Sequence, residues 1–170
     1  MFINLFIVAV YLNLFKLRNT VSIMKEKKEI LIKGSKVYKD ERGNISNYEL
    51  PEKINWIGLI TSKSETMRAN HYHPKQEQKV LLIKGKFISV FKDLSSDNLP
   101  IRHQLVQAGD LSVMPSNVAH AMIFLEDSIF VNLVNGDREH EKFGQHTIKY
   151  ELVKSEEINY YISKYKKYGK

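Results

Sequence analysis

The chain contains no cysteine. That excludes disulfides, thiolate metal sites and cysteine nucleophiles, and leaves the compartment open. Only four prolines and one tryptophan are present. There is no internal repeat and no low-complexity segment, so repeat arrays and compositionally disordered chains drop out. A spanning helix needs about 20 consecutive apolar residues. The N-terminal stretch MFINLFIVAVYLNLF falls short of that and is broken by Asn4 and Asn13. Lys16 and Arg18 follow this stretch, whereas a secretory signal carries its positive charge in front, and no small-residue cleavage site is evident. A basic face is missing as well. The net charge of +7 sits at the ends: five Lys/Arg against two Glu in residues 1–29, the same in 154–170, and sixteen against fifteen in between. Nucleic-acid binding needs basic residues gathered on a folded surface, so no nucleic-acid partner is expected, and a membrane is not an expected partner either.

What remains is a chain of 170 residues, enough for one domain with a sizeable core. Residues 1–23 read as an upstream extension, with the working protein starting near Met24 in MKEKKEILIKG; a weak membrane anchor and a packed N-terminal helix are the alternatives. The expected layout is an extension over 1–29, a barrel over 30–153 and a basic tail or short helix over 154–170. From residue 30 the text is a succession of short strands: EILIKGSKVYK, NISNYEL, NWIGLITS, IRHQLVQAGDLSVMP, AHAMIFLEDSIFVNLVNG and HTIKYELV. KVLLIKGKFISVFKDL reads as a hairpin around Lys84-Gly85-Lys86, and LEDS as a tight turn. Strands this frequent, with no helical pattern between them, predict an all-β sandwich or barrel. SEEINYYISKYKKYGK predicts one C-terminal helix capped by Ser155.

Two stretches carry chemistry. In RANHYHPKQEQ, alternation along a strand puts His71 and His73 on one face. A turn at PKQ lets Glu77 begin the next strand facing the same space. Imidazoles and a carboxylate on a rigid sheet suit a divalent metal. The alternative is plain surface polarity, the usual state of a lone His-x-His pair. The second stretch, GDLSVMPSNVAHAMIF, places His120 at the mouth of an apolar strand after Gly109 and Pro115.

Together these stretches resemble the paired motifs of the cupin superfamily. The first motif there runs Gly, five residues, His-x-His, three or four residues, Glu, six residues, Gly. Here it gives His71, His73, Glu77 and Gly85, with Glu65 where the opening glycine would stand. The second runs Gly, five residues, Pro-x-Gly, two residues, His, three residues, Asn. Here it gives Gly109, Pro115, Asn117, His120 and Phe124. The resemblance implies a double-stranded β-helix, or jelly-roll barrel. It also implies a metal ion (zinc, manganese, iron or nickel) held by His71, His73, Glu77 and His120, and a cytoplasmic homodimer paired through edge strands.

KDERGNI over 39–45 is similar to the D-x-R-G opening of cupins that act on nucleotide-linked deoxysugars, such as the dTDP-4-dehydrorhamnose 3,5-epimerases and the 4-keto-6-deoxyhexose isomerases. MRANHYH over 67–73 resembles the R-G-x-H phrase of those epimerases and the R-G-N-H-x-H phrase of cupin domains in capsular-polysaccharide enzymes. Ala69 replaces the glycine. The function so implied is a metal-dependent epimerase or isomerase of a nucleotide-linked keto-deoxysugar for surface polysaccharide. The metal would polarise the keto oxygen while a proton leaves and returns. Arg68 suits the diphosphate. Lys79 and Asn132 are further substrate-binding candidates, and His140, in the polar segment GDREHEKFGQH, is the candidate base. A metal-dependent oxygenase and a non-catalytic sugar- or metal-binding barrel are the competing classes.

Overall fold

A computed structural model describes residues 25–41, 43–50, 52–136 and 146–166. The expected extension over 1–23, His140 and the last four residues lie outside this set. Twelve strands are present among the described residues: β1 (Ile30–Lys33), β2 (Ser35–Asp40), β3 (Gly43–Asn47), β4 (Trp56–Ser62), β5 (Met67–Tyr72), β6 (Gln78–Lys84), β7 (Lys86–Asp93), β8 (Arg102–Gln107), β9 (Asp110–Met114), β10 (Val118–Phe124), β11 (Ser128–Val134) and β12 (Ile148–Lys149). A short 3-10 turn, Ser155–Glu157, leads into the helix α1 (Ile158–Lys166). Its cap lies one residue earlier than expected, where the Lys154 N–H donates to Glu157 Oε2 at 2.8 Å. No described helix is long and apolar enough to cross a membrane.

Two five-stranded antiparallel sheets face each other as a jelly roll. The first has the order β1-β9-β6-β11-β4, the second β12-β5-β10-β7-β8, and β2-β3 form a separate ribbon. Asp40 and Gly43 of the D-x-R-G phrase pair across that ribbon.

The expected hairpin at Lys84-Gly85-Lys86 is not one. β6 belongs to the first sheet and β7 to the second, so the chain changes sheets at Gly85. Gly85 has φ +94°, and a Cβ there would fall 2.2 Å from Ser128 Oγ and 2.8 Å from the Asp127 carbonyl oxygen. Only glycine fits that corner. The same crossing recurs at LEDS between β10 and β11 and at Gly109 between β8 and β9. These crossings fold the strands into a wall around an interior.

That interior holds Val80, Leu82, Phe87, Val106, Met122, Phe124 and Phe130. Each such apolar side chain contributes about 1.5–3 kcal/mol by leaving water. β10 is buried along its whole length because both of its faces are covered. Its outward Ala119, Ala121 and Ile123 pack, with Ile88 and Val90 of β7, under Leu152, Val153 and Ile162 of the C-terminal segment. Asn70 holds that segment in place. Its Oδ1 accepts from the Leu152 and Val153 N–H groups at 2.8 and 3.0 Å, and its Nδ2 donates to the Val153 carbonyl at 2.8 Å. The outer face of the first sheet is different: Ile30, Ile57, Leu59 and Ile83 all stand exposed on it.

Candidate functional site

The three histidines converge. Their ligand-capable nitrogens lie within 4.8 Å of one another, with His73 and His120 buried and His71 half-buried. His71 and His120 face each other across the β5–β10 pair, and a register shift follows at Ala121. That irregularity goes with two consecutive left-handed residues, Ala69 at φ 67° and Asn70 at φ 58°. The bulge re-aims the end of β5 into the barrel. Glu65, at φ 60°, and Asn117, also at φ 60°, share this conformation. Three of these four are positions where the cupin phrases carry glycine: 65, 69 and 117. The left-handed backbone persists here without glycine.

Two of the rings are oriented by the backbone. His73 Nδ1 donates to the His146 carbonyl at 2.9 Å, and His120 Nδ1 donates to the Val118 carbonyl at 3.1 Å. A carbonyl only accepts, so the proton on each Nδ1 is fixed and each Nε2 is turned inward. Both Nε2 atoms meet the same group, Gln78 Oε1, at 2.9 Å from His73 and 3.0 Å from His120. An oxygen there accepts from imidazolium rings. Turning the amide over presents an NH2 that donates to two neutral rings at once. The site therefore accommodates either protonation state of the pair.

Glu77, expected as the carboxylate ligand, is not brought to the triad. β6 starts at Gln78, so Gln78, Val80 and Leu82 face inward, while Glu77 and Lys79 take the outer side. There Lys79 is buried under its own ion pairs, 2.6 Å to Glu77 and 3.2 Å to Glu52. Burial alone would lower the Lys79 pKa, but the two carboxylates outweigh it and the net shift is upward. Lys79 thus does not reach the cavity. The donor set that remains, three imidazoles, is one that divalent metals such as zinc accept.

The cavity beside the triad has a volume of about 400 Å³ and is lined by His71, Gln78, Arg68 and Asn132 among apolar residues. Arg68 also borders a wider cleft of about 570 Å³ together with Lys63 and Lys84. Its guanidinium donates to the Thr61 carbonyl at 2.8 Å and to Ser62 Oγ. Behind the triad lies a titratable group that the sequence reasoning missed. Glu29 is buried and accepts from Ser112 Oγ and, at 2.6 Å, from Gln104 Nε2. Burial pushes its carboxyl upward against the pull of those hydrogen bonds. A space of about 10 Å³ separates it from Gln78 and His120, room for one water molecule.

No protein-family model matches the chain, and no curated protein does. Solved structures do. The dTDP-4-dehydrorhamnose 3,5-epimerase of Elizabethkingia anophelis superimposes with a TM-score of 0.57 at 20% identity, covering 69% of this chain and 74% of that one. QdtA, a sugar 3,4-ketoisomerase from Thermoanaerobacterium thermosaccharolyticum solved with TDP, gives 0.59 at 19% identity, covering 84% and 97%. ChmJ, a 3'-monoepimerase from Streptomyces bikiniensis solved with dTDP-quinovose, gives 0.59 at 14% identity, covering 69% of each. The fold is that of the RmlC-like cupins.

Proposed function

We propose that the protein is an epimerase or isomerase of a nucleotide-linked keto-deoxysugar, with the imidazoles as its proton-transfer groups. One observation carries this reading. His71 and Gln78 line a sugar-sized cavity, and His73 and His120, their Nδ1 protons committed to backbone carbonyls, hold Gln78 there through Nε2. Hydrogens on a carbon next to a ketone are acidic, and imidazole is suited to take one at neutral pH. In this reading His71, the triad imidazole that lines the cavity, removes the proton and the enediolate forms there. The proton then returns from an imidazole at the other face or at the neighbouring carbon, giving epimerisation or ketone migration. Gln78 fixes His73 and His120 behind the His71 imidazole. Arg68, with Lys63 and Lys84, offers the diphosphate a cationic cleft next to the sugar cavity. The fold shared with dTDP-sugar epimerases and a ketoisomerase supports the substrate class.

A second reading rests on the same convergence. His71, His73 and His120 fit a divalent metal ion, which when bound would polarise the keto oxygen as a Lewis acid. It would occupy nitrogens that the first reading uses as bases, so the two separate experimentally.

The apolar outer face of the first sheet supports pairing of two copies. Ile57 and Leu59 stand exposed on the edge strand β4, and Ile83 on β6 is exposed on the same face.

The test is solvent exchange. TDP-4-keto-6-deoxyglucose in D2O should gain deuterium next to the ketone with no net redox change and no oxygen uptake. His71→Asn should lower the rate by about 100-fold or more, the scale of a lost general base. Added zinc should inhibit; stimulation would favour the Lewis-acid reading. A wild-type protein that exchanges nothing, or that consumes oxygen, refutes the proposal.

A further inference from the structure

Asn132 stands in the middle of β11, on the inward side shared with Ser128, Phe130 and Val134. Its cross-strand neighbours are Gly58 on β4 and Val80 on β6. Its Oδ1 is buried and has no hydrogen-bond partner among the described residues. Native interiors rarely tolerate such a group, because it has given up water and received nothing in return. The side chain lines the cavity, so a small turn about its broad terminal torsion carries that enclosed oxygen to a ligand donor.

The surroundings say what kind. Gly58 leaves the space beside Asn132 open, since a Cβ there would meet nothing closer than Asn132 Cβ at 3.8 Å. His71 and Gln78 line the same cavity, so a molecule reacting at the imidazoles also touches Asn132. The other walls near it, Ile60, Met122 and Phe130, are apolar. Among the described residues, the one charged group lining the cavity is Arg68, and no carboxylate lines it. A protonated amino substituent would meet a cation and no counter-charge there. A hydroxyl, which donates and accepts, matches an amide with both functions.

We infer that Asn132 is a specificity-determining residue that hydrogen-bonds a free ring hydroxyl of the sugar. On this basis the site takes hydroxylated 6-deoxyhexoses and discriminates against analogues lacking that hydroxyl. The inference rests on the reading that the cavity takes a nucleotide-linked sugar.

The experiment reads binding, so it stands apart from turnover. TDP-quinovose and its 2-deoxy and 3-deoxy analogues are titrated calorimetrically into wild type, Asn132→Leu and Asn132→Thr. A site that hydrogen-bonds a hydroxyl penalises its loss by about tenfold or more. One of the two deoxy analogues should bind wild type that much more weakly. In Asn132→Leu the gap should close to within about twofold because the parent sugar falls to the level of the deoxy analogue, and Asn132→Thr should restore part of it. Equal affinity of wild type for all three sugars overturns the inference, as does a gap that survives in Asn132→Leu. If wild type discriminates as expected but exchanges no deuterium with the keto sugar, the role of Asn132 stands and the catalytic proposal falls. If wild type binds none of the three, both fall.

Discussion

Glu77→Gln separates the two roles that the sequence allows for this residue. In the structure Glu77 is one of two carboxylates holding the Lys79 ammonium, which is 1% exposed. At an effective dielectric of about 20, unit charges at these separations attract by roughly 5–6 kcal/mol each before desolvation is subtracted. Removing the sole partner of a buried charge costs about 3–5 kcal/mol net. Here Glu52 remains at 3.2 Å and the Glu77 side chain is 31% exposed, so about half of that cost is expected, roughly 2 kcal/mol. For a folded region of this size that lowers the melting temperature by about 5–10 °C. Thermal denaturation at pH 7 measures it. The Lys79 pKa is raised above 10.5 on folding. Its contribution is therefore complete below that pH and fades as pH climbs through the higher folded value. The gap between wild type and variant should persist up to about pH 10.5 and shrink only above it. Deuterium exchange and metal content should stay within about twofold of wild type, since nothing at the triad changes. A variant that melts with wild type but loses metal or activity tenfold would show that Glu77 reaches the histidines, and the face assignment of β6 would be wrong.

Three further outcomes are expected. Glu65→Gly should stabilise by about 0.5–1 kcal/mol, the left-handed penalty less the entropy that glycine adds to the unfolded chain, whereas Asn117→Gly should change little. Urea midpoints test both, and a destabilised Glu65→Gly would contradict the strain argument. Burial holds the Glu29 carboxyl above its ordinary value, so the folded state binds that proton more tightly than the unfolded chain. Its stabilising share is complete below about pH 4.5 and is lost as pH rises through the folded value. Glu29→Gln should match wild type in acid and exceed it increasingly toward neutrality in urea unfolding across pH 4–8; a constant gap would refute this. Leu59→Asp, on the exposed face of β4, should shift sedimentation from dimer to monomer with the fold intact, and a wild-type protein already monomeric at micromolar concentration would reject the pairing surface.

The strand-rich class, the C-terminal helix and the meeting of His71, His73 and His120 were all legible in the sequence, because alternation and paired motifs are local signals. The fourth partner was not. Whether Glu77 or Gln78 enters the barrel depends on the length of the turn after His73, and a one-residue slip exchanges the faces of the whole strand. A pattern clue existed, since two apolar residues follow Gln78 at even spacing while Glu77 shares its side with Lys79. The hairpin reading failed at Gly85 for a non-local reason. Two apolar runs around Lys-Gly-Lys suit a hairpin equally well, and the corner is enforced by Ser128 and Asp127, some forty residues later. Glu29 was hidden in the charged run KEKKEILIKG, where a glutamate ordinarily faces water. Its burial is made by Gln104 and Ser112 from distant strands.

The histidines all come from one sheet and its adjoining turn, while the amide that joins two of them projects from the facing sheet. Pairing of β5 with β10 is enough to gather the rings, yet their common neighbour arrives only when the two walls meet. Any state in which the walls part would release both rings from Gln78. The ring resonances of His73 and His120 then become an intrinsic gauge of barrel closure, with no dependence on knowing the substrate.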